Sequence, residues 1–207
     1  MTDMRGYAEK SPNGLGMRPG TFGNGNCGNN IRVMTGLYGK TARGDISASV
    51  AKMIPDGAET VALCIGSDRV TGDCVGPLVG HLLSRSGITV YGTLASPVTA
   101  LNVAECHELL RRRHPGAFVI AVDSALGTDG EVGSVILLPR GLRPAAAVGK
   151  TLPSVGDLGI VGVVSSRRLG ADSLGRVRLA LPFELASRIA DGVVRAVMRR
   201  RTGTGRR

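Results

Sequence analysis

The chain has 207 residues, of which 43% are hydrophobic and 3% are aromatic, and it contains no Trp. This length predicts one domain of ordinary size plus some sequence outside its core. The core has to be built mainly from Val, Leu, Ile and Ala, which is typical of parallel strands covered by helices. Because aromatic side chains for stacking on bases are scarce, specific nucleic-acid binding is not expected.

The formal net charge of +10 is concentrated in two arginine clusters. One is Arg111–Arg113, at the end of a predicted helix, where cations are electrostatically favourable. The other is at the carboxyl terminus, in 199–201 and 206–207. Charges gathered at helix and chain ends favour a structural or solvated role over a continuous nucleic-acid-binding face. Nonspecific polyanion contact by the tail is the alternative for the second cluster.

The four cysteines show no metal-binding spacing, which favours reduced thiols. The first residues lack the apolar run of a secretory signal, and no apolar stretch approaches the roughly 20 residues that span a bilayer. We therefore expect a cytoplasmic protein without a membrane partner. The sequence does not indicate an oligomeric state.

Residues 1–44 are rich in Gly and Asn and carry no apolar periodicity. They are predicted to be a disordered arm, with a removable pro-segment or a binding arm as alternatives. Residues 54–200 are predicted to form the domain, which begins near Ile54. Residues 201–207 are predicted to be a basic tail.

Apolar strands and helices alternate through the predicted domain. Strands are predicted at 60–66, 88–92, 117–123, 134–138 and 159–164, and helices at 75–83, at 98–114 and from Pro182 onward. The alternation predicts an α/β fold, a single three-layer domain with a mainly parallel sheet. Functional sites in such sheets form beyond the carboxyl ends of the strands.

The loop 66–77, Gly-Ser-Asp-Arg-Val-Thr-Gly-Asp-Cys-Val-Gly-Pro, follows the first predicted strand. It does not fit a phosphate-binding loop, because a carboxylate, Asp73, stands where that pattern needs Lys. Asp73 either caps the next helix or pairs with Asp123, which follows another predicted strand. Two neighbouring carboxylates can share a proton, position a water or hold a cation, and they supply an acid and a base for peptide hydrolysis. The two roles are compatible.

Other polar residues have weaker claims to a role. Asp68 and Arg69 form a local ion pair or contact the substrate, and Lys150 either lies near the acids or is solvated. Asp157 is interpreted as a turn residue. Cys74 adjoins Asp73, but no histidine near it in sequence could activate its thiol.

The segment 64–80 resembles the signature of the YyaC-type sporulation protein family (DUF1256). Further stretches follow in family order, so that the resemblance extends from about Glu59 to Arg195. These stretches are 90–94, 97–102, 121–127 and 148–157.

Through that family the chain is similar to germination protease and, more distantly, to the hydrogenase maturation proteases. The resemblance implies a phosphorylase/hydrolase-like fold with paired acids at Asp73 and Asp123. It also implies a spore peptidase in the forespore or spore core that hydrolyses protein or peptide substrates such as small acid-soluble spore proteins. The alternative is a noncatalytic sporulation factor that binds a peptide or protein partner in the same crevice.

The maturation enzymes use a later histidine to recognise nickel, whereas His81, His107 and His114 all precede Asp123. No third nickel ligand beside the two acids can be carried over, and we expect no metal site and no cofactor. A hard divalent cation between Asp73 and Asp123 is the alternative.

Overall fold

A computed structural model of the protein describes residues 42–143 and 154–203. The helices are α1 (Ala42–Met53), α2 (Val75–Leu83), α3 (Val103–Arg113) and α4 (Ala180–Gly203). The strands are β1 (Thr60–Cys64), β2 (Thr89–Tyr91), β3 (Phe118–Gly127), β4 (Val135–Leu138) and β5 (Leu158–Ser166). Each predicted strand and helix thus has a counterpart within the described residues, and α1 is an addition.

The described strands form one five-stranded sheet in the order β2-β1-β3-β5-β4. β1 pairs in parallel with β2 and β3, and β3 pairs in parallel with β5. β4 lies at the edge and runs antiparallel to β5. The predicted α/β fold with a mainly parallel sheet is therefore confirmed.

Helices cover both faces of the sheet. Side chains alternate along β3, so Ile120 and Val122 belong to one core cluster while Val119 and Ala121 belong to another. The first cluster includes buried residues of α1, α2 and α4, and the second includes residues of α3. Burial on both faces explains why the strands have nearly continuous apolar sequences.

Helix α2 packs very closely against the carboxyl ends of the strands. A Cβ atom added at Gly76 would lie 2.0 Å from the carbonyl oxygen of Ile65, and one added at Gly80 would lie 1.8 Å from that of Gly92. No larger side chain fits at these two points unless the backbone moves. Gly76 therefore allows the close approach of α2 to the end of β1, and Gly80 allows the close approach of α2 to the end of β2.

Helix α3 is shorter than the predicted helix 98–114. Val98 forms an isolated parallel bridge with Ile65, and the N–H of Gly66 donates to the carbonyl oxygen of Val98 at 2.8 Å. Val98 is therefore part of the sheet edge, and a turn separates it from the helix that begins at Val103.

The ordered domain begins earlier than the position near Ile54 that the sequence suggested. Ile46 and Val50 of α1 are fully buried and belong to the core cluster that includes α4. The helix was missed because it carries few large apolar side chains. Residues 1–41, which contain most of the predicted arm, lie outside the described residues.

Helices α1 and α4 run in the same direction. Ile46 of α1 lies beside Gly192, and further along both helices the guanidinium of Arg200 donates to the carbonyl oxygen of Ala51 and contacts Asp56 at 2.6 Å. Arg201, assigned above to a basic tail, belongs to α4 and donates to the carbonyl oxygen of Gly87 at 3.2 Å. Residues 204–207 lie outside the described residues.

None of the helices in the described part of the chain combines the length and the apolar character needed to cross a membrane.

Truncating Ile46 tests whether α1 is part of the domain. Ile46→Ala should lower the free energy of unfolding by about 2 to 4 kcal/mol, because it leaves a cavity between α1 and α4. Lys52→Ala, on the exposed side of the same helix, should change it by no more than about 0.5 kcal/mol. Urea unfolding measures both variants, and equal effects would mean that α1 does not contribute to the core.

Candidate active site

Asp73 lies in a short 3-10 turn, Thr71–Asp73, between β1 and α2. The turn is closed by backbone hydrogen bonds: the N–H of Ser67 donates to the carbonyl oxygen of Asp73 at 3.1 Å, and the N–H of Asp73 donates to that of Val70 at 2.8 Å. Gly66 has a φ of 140°, and a Cβ there would lie 2.1 Å from the Asp73 carbonyl oxygen. The backbone therefore holds Asp73 against the end of β1.

The capping role considered for Asp73 is wrong, because the N-cap residue of α2 is Cys74. The Cys74 thiol donates to the carbonyl oxygen of Thr71 at 2.8 Å. Burial raises the pKa of the Cys74 thiol to about 11, so the thiol is protonated near neutral pH. A protonated thiol is a poor nucleophile, which argues against catalysis by Cys74.

Asp123 lies in the middle of β3, not at its end as the sequence suggested. β3 is longer than predicted because it continues along β5 after its pairing with β1 has ended at Val122. Asp123 is the next residue, so it still lies at the carboxyl edge of β1. Its side chain is fully buried, and its Oδ1 accepts a hydrogen bond from the N–H of Ser124 at 2.7 Å.

The two acids approach this edge from different sides of the sheet. By alternation along β3, Asp123 shares a face with Ala121 and Ala125, whose core cluster includes α3. Asp73 precedes α2, which covers the opposite face. The two acids therefore reach the end of β1 from elements on opposite faces of the sheet.

Burial and, to a smaller extent, the charge of Asp123 raise the pKa of Asp73 from 3.8 to about 6, against the opposing effect of a hydrogen bond from the N–H of Ser67. The two predicted acids are thus close enough to influence each other's charge. A carboxyl group with this pKa exchanges its proton near neutral pH, which is what acid–base chemistry requires.

The remaining predicted site residues have different surroundings. Asp68 and Arg69 are exposed in the same loop as Asp73, and the structure shows no ion pair between them. Lys150 lies outside the described residues. Asp157 is structural, as expected: it accepts hydrogen bonds from Arg111 at 3.0 Å and from the N–H of Val119 at 2.8 Å, at the opposite edge of the sheet.

Within residues 42–143 and 154–203, no group of three or more His, Cys, Asp or Glu side chains is arranged to hold a metal ion. A hard cation held by Asp73 and Asp123 alone stays a hypothesis.

A cleft of about 620 Å³, here called the β5 cleft, lies at the carboxyl end of β5. It is lined by Val164, Ser165, Leu169, Asp172, Ser173, Arg176, Val177, Arg178 and Leu181. The 3-10 segment Ala171–Arg176 forms one wall, and Leu174 of this segment packs against Gly72, where an added Cβ would lie 2.8 Å away. The cleft therefore shares a wall with the Asp73 turn. The cleft could not be predicted from the sequence, because such short segments have no apolar periodicity.

A smaller cleft, of about 290 Å³, lies at the opposite edge of the sheet near Thr60 and Arg200.

Residues 37–192 match a family model described as "Protein of unknown function (DUF1256)". The chain belongs to the DUF1256 family. It is also similar to the uncharacterized protein YyaC of Bacillus subtilis (strain 168), with 41% identity over 152 residues, which cover 72% of this chain and 73% of that protein. The membership of the DUF1256 family inferred from the sequence is thereby confirmed, and both candidate acids lie within the matched region.

The raised pKa of Asp73 predicts a pH-dependent effect of Asp73→Asn on stability. Between about pH 4 and pH 6 the unfolded chain releases this proton and the folded chain keeps it, so the folded state loses stability as the pH rises. Asn does not ionise, so the Asp73→Asn variant does not lose stability in this way. The variant should therefore exceed the wild type in stability at pH 7.5, by up to about 3 kcal/mol, with the difference shrinking towards pH 4.

Urea unfolding at several pH values measures this difference. Asp68→Asn, an exposed position in the same loop, serves as the control and should have little effect at any pH. A difference in stability between Asp73→Asn and wild type that does not change with pH would contradict the raised pKa of Asp73.

Proposed function

We propose that this protein is an aspartate-dependent peptidase in which Asp73 and Asp123 hydrolyse a peptide bond of a protein substrate. The observation that carries the proposal is the pKa of Asp73, which burial and the charge of Asp123 raise to about 6. In a DUF1256 protein with these acids at the carboxyl edge of a parallel sheet, the pair occupies the usual place for a site in this class of fold.

The proposed chemistry divides acid and base between the two carboxyl groups. Like charges in proximity favour a state in which the pair holds one proton. The ionised carboxyl group accepts a proton from the attacking water while the protonated one donates its proton to the carbonyl oxygen. As the C–N bond breaks, the proton taken from water passes to the leaving amine, and the hydroxyl formed at the carbonyl returns its proton to the pair. The buried setting of Asp123 strengthens these interactions, because little water competes with them.

The resemblance noted in the sequence supports the same reaction class. We propose that the fold is phosphorylase/hydrolase-like and related to those of germination protease and the hydrogenase maturation proteases. On this proposal the protein acts in the cytoplasm of the forespore, and small acid-soluble spore proteins are the first substrates to test.

Replacing either acid by Asn should lower cleavage by at least about a hundredfold, because Asn keeps the shape of the side chain but exchanges no proton. The assay incubates purified protein with spore extract and with isolated small acid-soluble spore proteins, and it follows specific products by mass spectrometry. Circular dichroism confirms folding. Glu105→Gln, the same carboxylate-to-amide change at an exposed position of α3, is the matched control and should cleave like wild type.

Wild-type cleavage should also show an inflection near pH 6. Cleavage at the wild-type rate by either Asn variant would overturn catalysis by this pair. A wild type that cleaves nothing but captures one protein from the extract would support the noncatalytic alternative. Loss of activity in EDTA, with recovery in Mg²⁺ or Mn²⁺, would show that the acids act through a cation.

A further inference from the structure

We propose that the β5 cleft binds an extended peptide segment that carries both acidic and apolar side chains. As a docking site for the substrate it rests on the peptidase function proposed above, although binding can be measured without cleavage.

The lining of the β5 cleft is partly apolar and includes Val164, Leu169, Val177 and Leu181. Leu169 is 65% exposed, and Val177 and Leu181 are half-buried. Exposed apolar side chains gathered beside a concave surface are typical of a binding site for another molecule. The apolar lining therefore calls for apolar groups on the partner.

The charges around the cleft are mainly positive. Arg176 and Arg178 line it and are exposed, and the structure shows no ion pair for either of them among the described residues. Arg168, beside the cleft, is partly neutralised by Asp129 at 3.3 Å. Of the lining residues, Asp172 is the acidic one. The balance favours a negatively charged partner.

The wall of the cleft also offers hydrogen-bond acceptors. The hydroxyl of Ser165 donates to Oγ of Ser173 at 2.8 Å, and the hydroxyl of Ser173 donates to the carbonyl oxygen of Gly170 at 2.7 Å. With its proton used in this way, the oxygen of Ser165 keeps lone pairs that can accept from a peptide N–H. Acceptors of this kind suit an extended backbone.

The charge of the chain argues that the partner is neither a segment of this chain nor a second copy of it. Residues 1–41 contain two acidic residues and five basic ones, and the whole chain has a formal net charge of +10. Neither this segment nor a second copy complements the arginines of the cleft. Single-stranded nucleic acid fits less well than a peptide, because it binds through stacked aromatic side chains and the lining of the cleft contains none.

The cleft lies next to the proposed catalytic acids. Leu174 of its wall packs against Gly72 in the Asp73 turn. A peptide held in the cleft would thus lie one 3-10 segment away from the acids, so that the adjoining part of the same substrate chain could reach them.

Binding is tested with the full-length Asp73→Asn variant, which keeps the probe from being cleaved. Fluorescence anisotropy compares short labelled peptides of alternating Glu and Leu, Gln and Leu, or Glu and Ser, and a labelled single-stranded oligonucleotide. The Glu–Leu peptide should bind at least about tenfold more tightly than any other probe. Equal binding of the Gln–Leu or Glu–Ser peptide, or tighter binding of the oligonucleotide, would overturn the proposal.

Two pairs of matched variants locate the site. Arg176→Glu with Arg178→Glu should weaken binding by at least about tenfold, whereas the same charge change at Arg112 and Arg113, exposed on α3, should weaken it by less than about twofold. Leu169→Ser should also weaken binding, and Met198→Ser, at the far end of α4, should not. Equal losses of binding in the test and control variants would show that the peptide does not bind specifically in the β5 cleft, and they would overturn the proposal.

The two proposals fail in different ways. Specific binding in the cleft by a protein that cleaves nothing would remove the peptidase function and leave the docking site. Cleavage that persists unchanged in the Arg176→Glu, Arg178→Glu variant, together with no measurable peptide binding, would remove the docking site and leave the peptidase function.

Discussion

The backbone of α2 lies directly against the carboxyl end of β1, and the rest of the site depends on this contact. Gly76 makes it possible, because an added Cβ would overlap the carbonyl oxygen of Ile65, and Gly80 allows the same close approach to Gly92 at the end of β2. With α2 held so close, the loop from Gly66 to Cys74 has to close tightly on itself. Asp73 is therefore placed by backbone contacts, which do not depend on surface ion pairs.

Burial and charge then give the two acids distinct surroundings. Asp123 is fully enclosed, and its Oδ1 accepts a hydrogen bond from the adjacent N–H of Ser124. Asp73 is only partly enclosed, and its pKa is raised both by burial and by the charge of Asp123. Two residues of one chemical type can therefore carry different protonation states at the same edge of the sheet.

Much of this arrangement could be predicted because apolar runs and glycine-bounded loops have clear sequence signals. The strands, the bounds of α2 and the two candidate acids all followed from such signals. Helix α1 did not, because its contribution to the core rests on a few residues such as Ile46 and Val50. The place of Asp123 within β3 depends on how far β5 continues beside it, which is a long-range pairing. The β5 cleft depends on packing of a nonperiodic segment and was likewise missed.

The parallel course of α1 and α4 has a practical consequence. α4 begins beside the β5 cleft, and its far end reaches the start of β1 and the loop before β2. Since α1 runs the same way, its first residue, Ala42, lies towards the half of the domain that holds Asp73, whereas Gly203 lies at the other end. A label or surface anchor joined after Gly203 would leave the edge with Asp73 and Asp123 open. One joined directly before Ala42 would stand beside it.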